Sequence, residues 1–472
     1  MNVGDVLQER ICHLKNIKAD DKKKILFILS AGIIIRVLYV IFMPVINFAQ
    51  YDMGTVDPNG GVLTGHLGYV FYLVVNRQIP QFDPTTVYQF NHPPVHYIIS
   101  ALWVSFIKLF TDDTKILIES VQCVTLVYSV ITLCAFERVL DELKVSFNGK
   151  ALALTIFALQ PTIVMTAGSV NNDGIGLMFQ MLATWAVLRW YRTRSYKDII
   201  FLALSIAFGM LSKLSAGLIA FPVAVLFLYV FMREWRENRK FPMSRFIQYA
   251  VFGIVCVPIG LFWVLRCYIR FGMPFTYIAF LPDTSWQYVG MYSAFERLFF
   301  PNVVELIKNL SHGSIGMGFN IWVQMFRTSA IGECDLATFP TAVKFICLIV
   351  ILLNFVVAVW AFVCFVRFLT VRKKADVLKT APAFHVPDTG HKLFLAVAWI
   401  VMMYSYFSFA NKYPHECSMN FRYVQYAVIP PLVALADTSK GKGGGKAVSW
   451  ALTVVYGVFS MLVPASWIIF AG

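Results

Sequence analysis

HPPVHYIISALWVSFIKLF, His92 to Phe110, decides how this chain is folded. Its apolar part is long enough either to cross a bilayer or to lie along its surface, and every later segment changes side with that choice. Basic residues beside membrane helices favour the cytosolic side, so their positions settle the matter. If the stretch crosses, Arg189, Arg192, Arg194 and Lys197 fall outside, together with Arg233, Arg236, Arg239, Lys240 and Arg245. If it lies along the surface, both clusters become cytosolic, as do Arg372, Lys373, Lys374 and Lys379 and later Lys440, Lys442 and Lys446. The surface arrangement is therefore expected.

The wider composition agrees with a chain that crosses the membrane many times. Of 472 residues, 58% are hydrophobic, 16% aromatic and only 14% charged, too apolar for a soluble domain of this length. The net charge of +14 does not indicate nucleic acid, because the basic residues punctuate hydrophobic runs and form no stripe on a soluble face. Nine cysteines contain no CxxC pair, and most lie in apolar runs where Cys acts as a small hydrophobe. Cys267, Cys334 and Cys417 fall in non-spanning segments, where an oxidising compartment would permit a disulfide.

Working outward, residues 1–24 form a polar lead expected in the cytosol, with Lys22, Lys23 and Lys24 against the first span, Ile25 to Val45. A first outer loop covers residues 47–114, with surface helices near Leu63 to Val75 and Pro93 to Phe110. Further spans are expected at Lys115 to Phe136, Ala151 to Ala167 and Ile175 to Trp190. The 34 residues from Ile199 to Met232 exceed one crossing of a core about 30 Å thick, so they form a hairpin turning at Ser212-Lys213-Leu214-Ser215. Its first arm, Ile199 to Leu211, is short, which recesses Lys213 against a wet or protein-lined cavity. Phe246 to Leu265 completes a membrane module over residues 25–266. A second large outer loop, residues 267–340, precedes the C-terminal spans of residues 341–472: Thr341 to Val366, Leu393 to Phe409, Tyr423 to Ala436 and Val448 to Phe470. The fold class is all-α and polytopic, with about 11 transmembrane helices and two juxtamembrane helices.

On this topology the polar groups gather at one face. The loop NFAQYDMGTVDPNGG directly follows the first span, and it carries Asp52, the first candidate for chemistry at the membrane surface. His66, His92, His96, Asn172, Asp173, Lys213, Arg266, Arg270, Lys412, His415 and Arg422 lie at the same side. A carboxylate opposite several cations suits group transfer from a phosphate-linked donor: the carboxylate takes an acceptor proton and the cations stabilise the departing phosphate. Blander roles stand beside these. Asp52 could cap a helix, Asn171 to Asp173 could cap the span they precede, and Arg270 and Arg422 could anchor helix ends. The i, i+4 pair His92 and His96 has a metal-ligand spacing, but Pro93 and Pro94 keep His92 off the helix face. Arg36, in mid-span, suits either a structural partner or a ligand contact.

The order YDMG, HPP opening a surface helix, GMLSKLSAGLIAFP late in a hairpin, and NFRYVQYAVIPPL near the C-terminus resembles the GT-C glycosyltransferases. The resemblance is to the bacterial family 39 type, related to protein O-mannosyltransferases and the lipid A aminoarabinose transferase. It implies that Asp52 is the catalytic acid of the first loop and that Lys213 contacts donor phosphate. Two positions depart from the pattern: Met53 follows Asp52 where members often have Glu, and Glu119 stands near the place where many have Arg.

The expected function is a multi-pass membrane glycosyltransferase, in a bacterial plasma membrane with its site facing outside. It would move a sugar from a polyprenyl-phosphate donor to an acceptor hydroxyl on a lipid, glycan or protein, with inversion implied by the resemblance. Asp52 would be catalytic, and Lys213, Arg270 and Arg422 would bind donor phosphate. His66, His92, His96, Asn172 and Asp173 would contact substrate. No cofactor is required by the sequence, which leaves a divalent metal open, and the partners are the bilayer and the lipid donor rather than nucleic acid. The rivals are a lipid or solute transporter and another envelope enzyme acting on lipid phosphates, such as a ligase.

Overall fold

The computed structural model describes residues 19–45, 53–56, 63–279, 281–301, 304, 318–332, 336, 339–370, 388–438 and 444–470. Asp52, Asp57, Cys334 and most of the N-terminal lead lie outside these. Among the described residues the secondary structure is helical, with one isolated backbone bridge between Tyr288 and His415. The helices are α1 Ala19–Phe42, α2 Gly65–Asn76, α3 Val95–Ile107, α4 Thr114–Glu142, α5 Phe147–Leu159, α6 Pro161–Met165, α7 Asp173–Thr193 and α8 Tyr196–Ser212. They continue as α9 Ala220–Asn238, α10 Met243–Phe271, α11 Ala294–Phe299, α12 Ile321–Ile331, α13 Thr341–Thr370, α14 Thr389–Lys412, α15 Ile429–Asp437 and α16 Gly444–Phe470.

Among the described residues, seven helical segments are long and apolar enough to cross a membrane, and eight if the bent pair α5–α6 counts as one. The other three expected spans have helices at their places, α7, α8 and α15, which are shorter or less apolar. The expected continuous span from Ala151 to Ala167 is instead broken, bending by 62° after Leu159. Pro161 causes this: it lacks an N–H and disfavours a helical conformation at Gln160, whose ψ is 118° and whose side chain caps α6 through Ile163 N. The expected span Tyr423 to Ala436 is a nine-residue helix, α15, led in by 3₁₀ turns at Glu416–Met419, Phe421–Tyr423 and Gln425–Val428. Pro430 and Pro431 suit the start of a helix, and the irregular backbone upstream is largely buried in protein.

Contacts between helix ends give the bundle two distinct poles. At one, Arg192 pairs with Glu142 at 2.9 Å, Arg189 with Asp198 at 2.6 Å, Arg245 with Glu234 at 2.8 Å, and Lys150 with Glu137 and Asp141. The basic residues near the ends of α7, α9 and α10 thus share this pole. At the other, Glu119 at the start of α4 accepts from Val45 N at 2.9 Å. α3 is tied to that same pole along its length: His96 bonds Val170 O at 3.0 Å, and Trp103 donates to Ser120 O at 2.8 Å. With 13 residues it spans about 20 Å at helical rise, short of a crossing. The opposed poles are the geometry that the charge argument requires.

Candidate active site

The site is built where α7 begins and α8 ends. Asn171 Oδ1 accepts from Asp173 N at 2.9 Å, which starts α7 at Asp173, and Asn172 Nδ2 donates to Ser212 O at 2.9 Å, which fixes that start to the end of α8. After Ser212 the chain turns extended at Lys213, with φ −153° and ψ 117°. Gly176, one turn into α7, faces the Lys213 stem: a Cβ there would sit in ordinary contact, 3.4 Å from Lys213 Cβ and Cδ.

Lys213 Nζ donates to Asp173 Oδ1, and Arg422 Nη1 approaches Asp173 Oδ2 at 3.5 Å. Tyr423 lies against both cations, its ring centre 5.1 Å from Lys213 Nζ and 4.7 Å from Arg422 Cζ, and its hydroxyl accepts from Arg422 Nη2 at 2.7 Å. The side chains of Asp173 and Arg422 are 3% exposed and that of Lys213 is 16%. Charges removed from water to this extent interact far more strongly than on a surface. One carboxylate between two cations leaves a net charge of about +1 at the start of a helix, whose amide dipoles also favour an anion.

The first loop packs on the segment leading into α7, where Val170 joins its apolar core. Met53 O, the neighbour of Asp52 in the chain, accepts from Leu67 N at 3.0 Å, and Thr55 and Thr64 exchange backbone hydrogen bonds at 3.1 and 3.2 Å. Gly54 and Gly65, with φ of +78° and +74°, approach so closely here that a Cβ at either would overlap backbone. His66 is buried and its Nδ1 hydrogen-bonds Tyr97 OH at 2.6 Å, while its ring stacks on His92 at 5.4 Å. His92 Nε2 bonds Gln89 Oε1 at 2.7 Å. His96, fully buried between Tyr97 and Tyr128, joins the first loop to the Asn171–Asp173 turn through Val170. Burial pushes its imidazole down to about 4, with the Val170 hydrogen bond opposing.

The structure therefore brings together Asp173, Lys213 and Arg422, with Asn172 behind them and His96 one link away. It places Arg270 elsewhere: exposed at the end of α10, it donates to Gln81 Oε1 at 2.7 Å. Arg266 and Trp263 likewise hold the first loop, through Pro80 O at 2.6 Å and Asn91 O at 2.9 Å. Arg36 is held within the bundle by Ser129 Oγ through Nε and by Gly32 O and Ala158 O through Nη1, while its buried Nη2 has no partner among the described residues. Cys267 is a buried free thiol. Among the described residues, no group of three His, Cys, Asp or Glu is arranged to hold a metal ion.

Three features escaped the sequence reading. Tyr423 was legible only as part of NFRYVQY, and its place against both cations depends on the 3₁₀ turn that carries it. Glu119, noted as a departure, secures the end of the first span. Arg327 and Glu416 form a buried pair at 2.7 Å, in which burial pushes the Glu416 carboxyl up and Arg327 opposes it. That pair lies where the second outer loop docks on the segment before Arg422, by Val289 N to Pro414 O and Glu416 N to Gln287 O.

Residues 91–263 match the family model described as dolichyl-phosphate-mannose-protein mannosyltransferase. The match includes His92, His96, Asp173 and Lys213, and excludes Asp52, Arg270 and Arg422. No curated protein matches the chain. The oligosaccharyltransferase of Archaeoglobus fulgidus, in a complex with zinc and sulfate, is similar in fold with a TM-score of 0.51 at 13% identity, over 94% of this chain and 53% of that one. AglB of the same organism, with an inhibitory peptide and a dolichol-phosphate, gives 0.51 at 13% identity, over 96% and 57%. ArnT of Cupriavidus metallidurans bound to undecaprenyl phosphate gives 0.38 at 13% identity, over 94% and 78%. The chain spans about half the length of the archaeal proteins it resembles.

Proposed function

We propose that this chain, a polytopic membrane protein of GT-C glycosyltransferase fold with a mannosyltransferase family match, transfers a sugar from a polyprenyl-phosphate donor to an acceptor hydroxyl. The observation that carries the reading is the convergence of Lys213 and Arg422 on one buried anion position at the start of α7. The dolichol-phosphate in the AglB structure supports a lipid phosphate as the donor's anchor.

In this reading Asp52 takes the proton of the acceptor hydroxyl as its oxygen attacks the anomeric carbon. The bond from that carbon to the phosphate oxygen breaks, its electron pair leaves with the phosphate, and in-line attack inverts the centre. The leaving phosphate gains negative charge, which Lys213 and Arg422 stabilise. His66 and His92 line the first loop toward the sugar, with His96 and Asn172 holding the wall behind. The pole bearing the site faces outward by the positive-inside rule, in a bacterial plasma membrane. The acceptor is a hydroxyl of a lipid, glycan or protein.

The test is whether the purified chain, given sugar-charged polyprenyl phosphate and an envelope extract, releases free polyprenyl phosphate. A transporter would move the carrier intact, so absence of release across a panel of charged carriers would refute the reading.

A further inference from the structure

We propose that Asp173 is a built-in competitor of the donor phosphate, a positioning residue that holds Lys213 and Arg422 in place before the donor arrives and weakens the grip on phosphate afterwards. The inference rests on the reading that these two cations bind phosphate. Geometry is its starting point: the two Asp173 oxygens are divided between the two cations, Oδ1 to Lys213 Nζ and Oδ2 to Arg422 Nη1 at 3.5 Å. A phosphate bridging the same two donors would need the same places. The Arg422 contact is long for a charge-assisted hydrogen bond, so it exchanges readily. Once displaced, the carboxylate remains at the start of its own helix, where amide dipoles still favour it.

Charge gives the competition a purpose. Lys213, Arg422 and Asp173 sum to about +1. A sugar phosphodiester carries about one negative charge and neutralises the cluster, whereas the released phosphate monoester approaches two near neutral pH. Product would therefore leave the buried cluster with excess negative charge, which favours its departure. Without Asp173 the pair of cations would match the product instead and retain it.

The experiment measures equilibrium binding of undecaprenyl phosphate to the detergent-solubilised full chain, with thermal unfolding alongside. The expected result for Asp173→Asn is a lower melting temperature without lipid, because two buried cations lose their counter-ion, and a larger rise on adding lipid than in the wild type. Affinity should tighten about tenfold or more, with slower dissociation. Asp173→Glu, which keeps the charge, should remain close to wild type, and Asp173→Ser replaces the Asn variant if that protein is not recovered. Lys213→Ala and Arg422→Ala should both weaken binding. If they do so while Asp173→Asn or Asp173→Ser leaves affinity unchanged or weaker, the competitor role is overturned and the phosphate site stands. If neither cation variant changes affinity, the phosphate reading fails, and this inference with it.

Discussion

Lys213→Ala offers the sharpest separation between a binding cation and a structural one. Lys213 bonds Asp173, which also has Arg422 at 3.5 Å, so the substitution does not orphan the carboxylate. The loss of stability should therefore fall below the roughly 3–5 kcal/mol typical of a buried charge left alone. Phosphate is a different case. At an effective dielectric constant of about 20, two unit charges roughly 4 Å apart interact by about 4 kcal/mol. Truncating one partner of such a pair costs about 2–5 kcal/mol, which is a fall in affinity of about 30-fold to 5000-fold. Arg422 and Tyr423 remain, so the lower half of that range is the expectation. Lys213→Arg should recover only part of the loss, since a planar guanidinium cannot place a point charge over the Tyr423 ring and on Asp173 in the same way. Undecaprenyl phosphate binding, measured beside thermal unfolding for both variants, tests this. Reduced stability with unchanged lipid affinity would show that Lys213 only neutralises Asp173, and would sink the phosphate assignment.

Three further outcomes follow from the same arrangement. Asp52→Asn should cut transfer by about 10²- to 10⁴-fold and leave lipid phosphate affinity nearly intact, because Asn keeps the size but accepts no proton; near-normal turnover would remove Asp52 from the chemistry, and partial rescue by added divalent ion would make it a metal ligand. For topology, Asp112→Cys should react with an impermeant thiol reagent from outside and Arg236→Cys only from the cytosol, and the reverse pattern would mean that α3 crosses. His96, held neutral with its imidazole pushed down to about 4 against an ordinary value near 6.5, takes up a proton in the unfolded chain before it does so in the folded one. Stability should thus be full above pH about 6.5 and fall as pH drops toward about 4, by roughly 3 kcal/mol. Hydrogen exchange of α3 against pH checks it, and His96→Phe showing the same pH dependence would acquit His96.

Much of this protein could be read without its structure, because membrane class and helix placement are written in local composition. A hydrocarbon solvent forces backbone hydrogen bonds inward, so long apolar runs must be helices wherever they pack. The basic clusters at Arg189–Arg194 and Arg233–Arg245 contained the two-pole arrangement, since charge position is a property of the chain. Pro161 and the Pro430–Pro431 pair are local signals too, and their bend and short helix were open to a closer reading. The motif order around YDMG, HPP, SKLS and NFRYVQY likewise pointed to the GT-C glycosyltransferases, and the family match and fold likeness bear that resemblance out. The site itself was legible only as a roll of costly residues on one face. That Asp173 meets Lys213 40 residues on and Arg422 249 residues on, while Arg270 turns to Gln81, is decided by how the ends of α7, α8 and α10 pack against the 3₁₀ turns before α15. A buried charge announces in sequence that it needs a partner. Which of several partners it meets depends on distances across the bundle, and no local pattern encodes those.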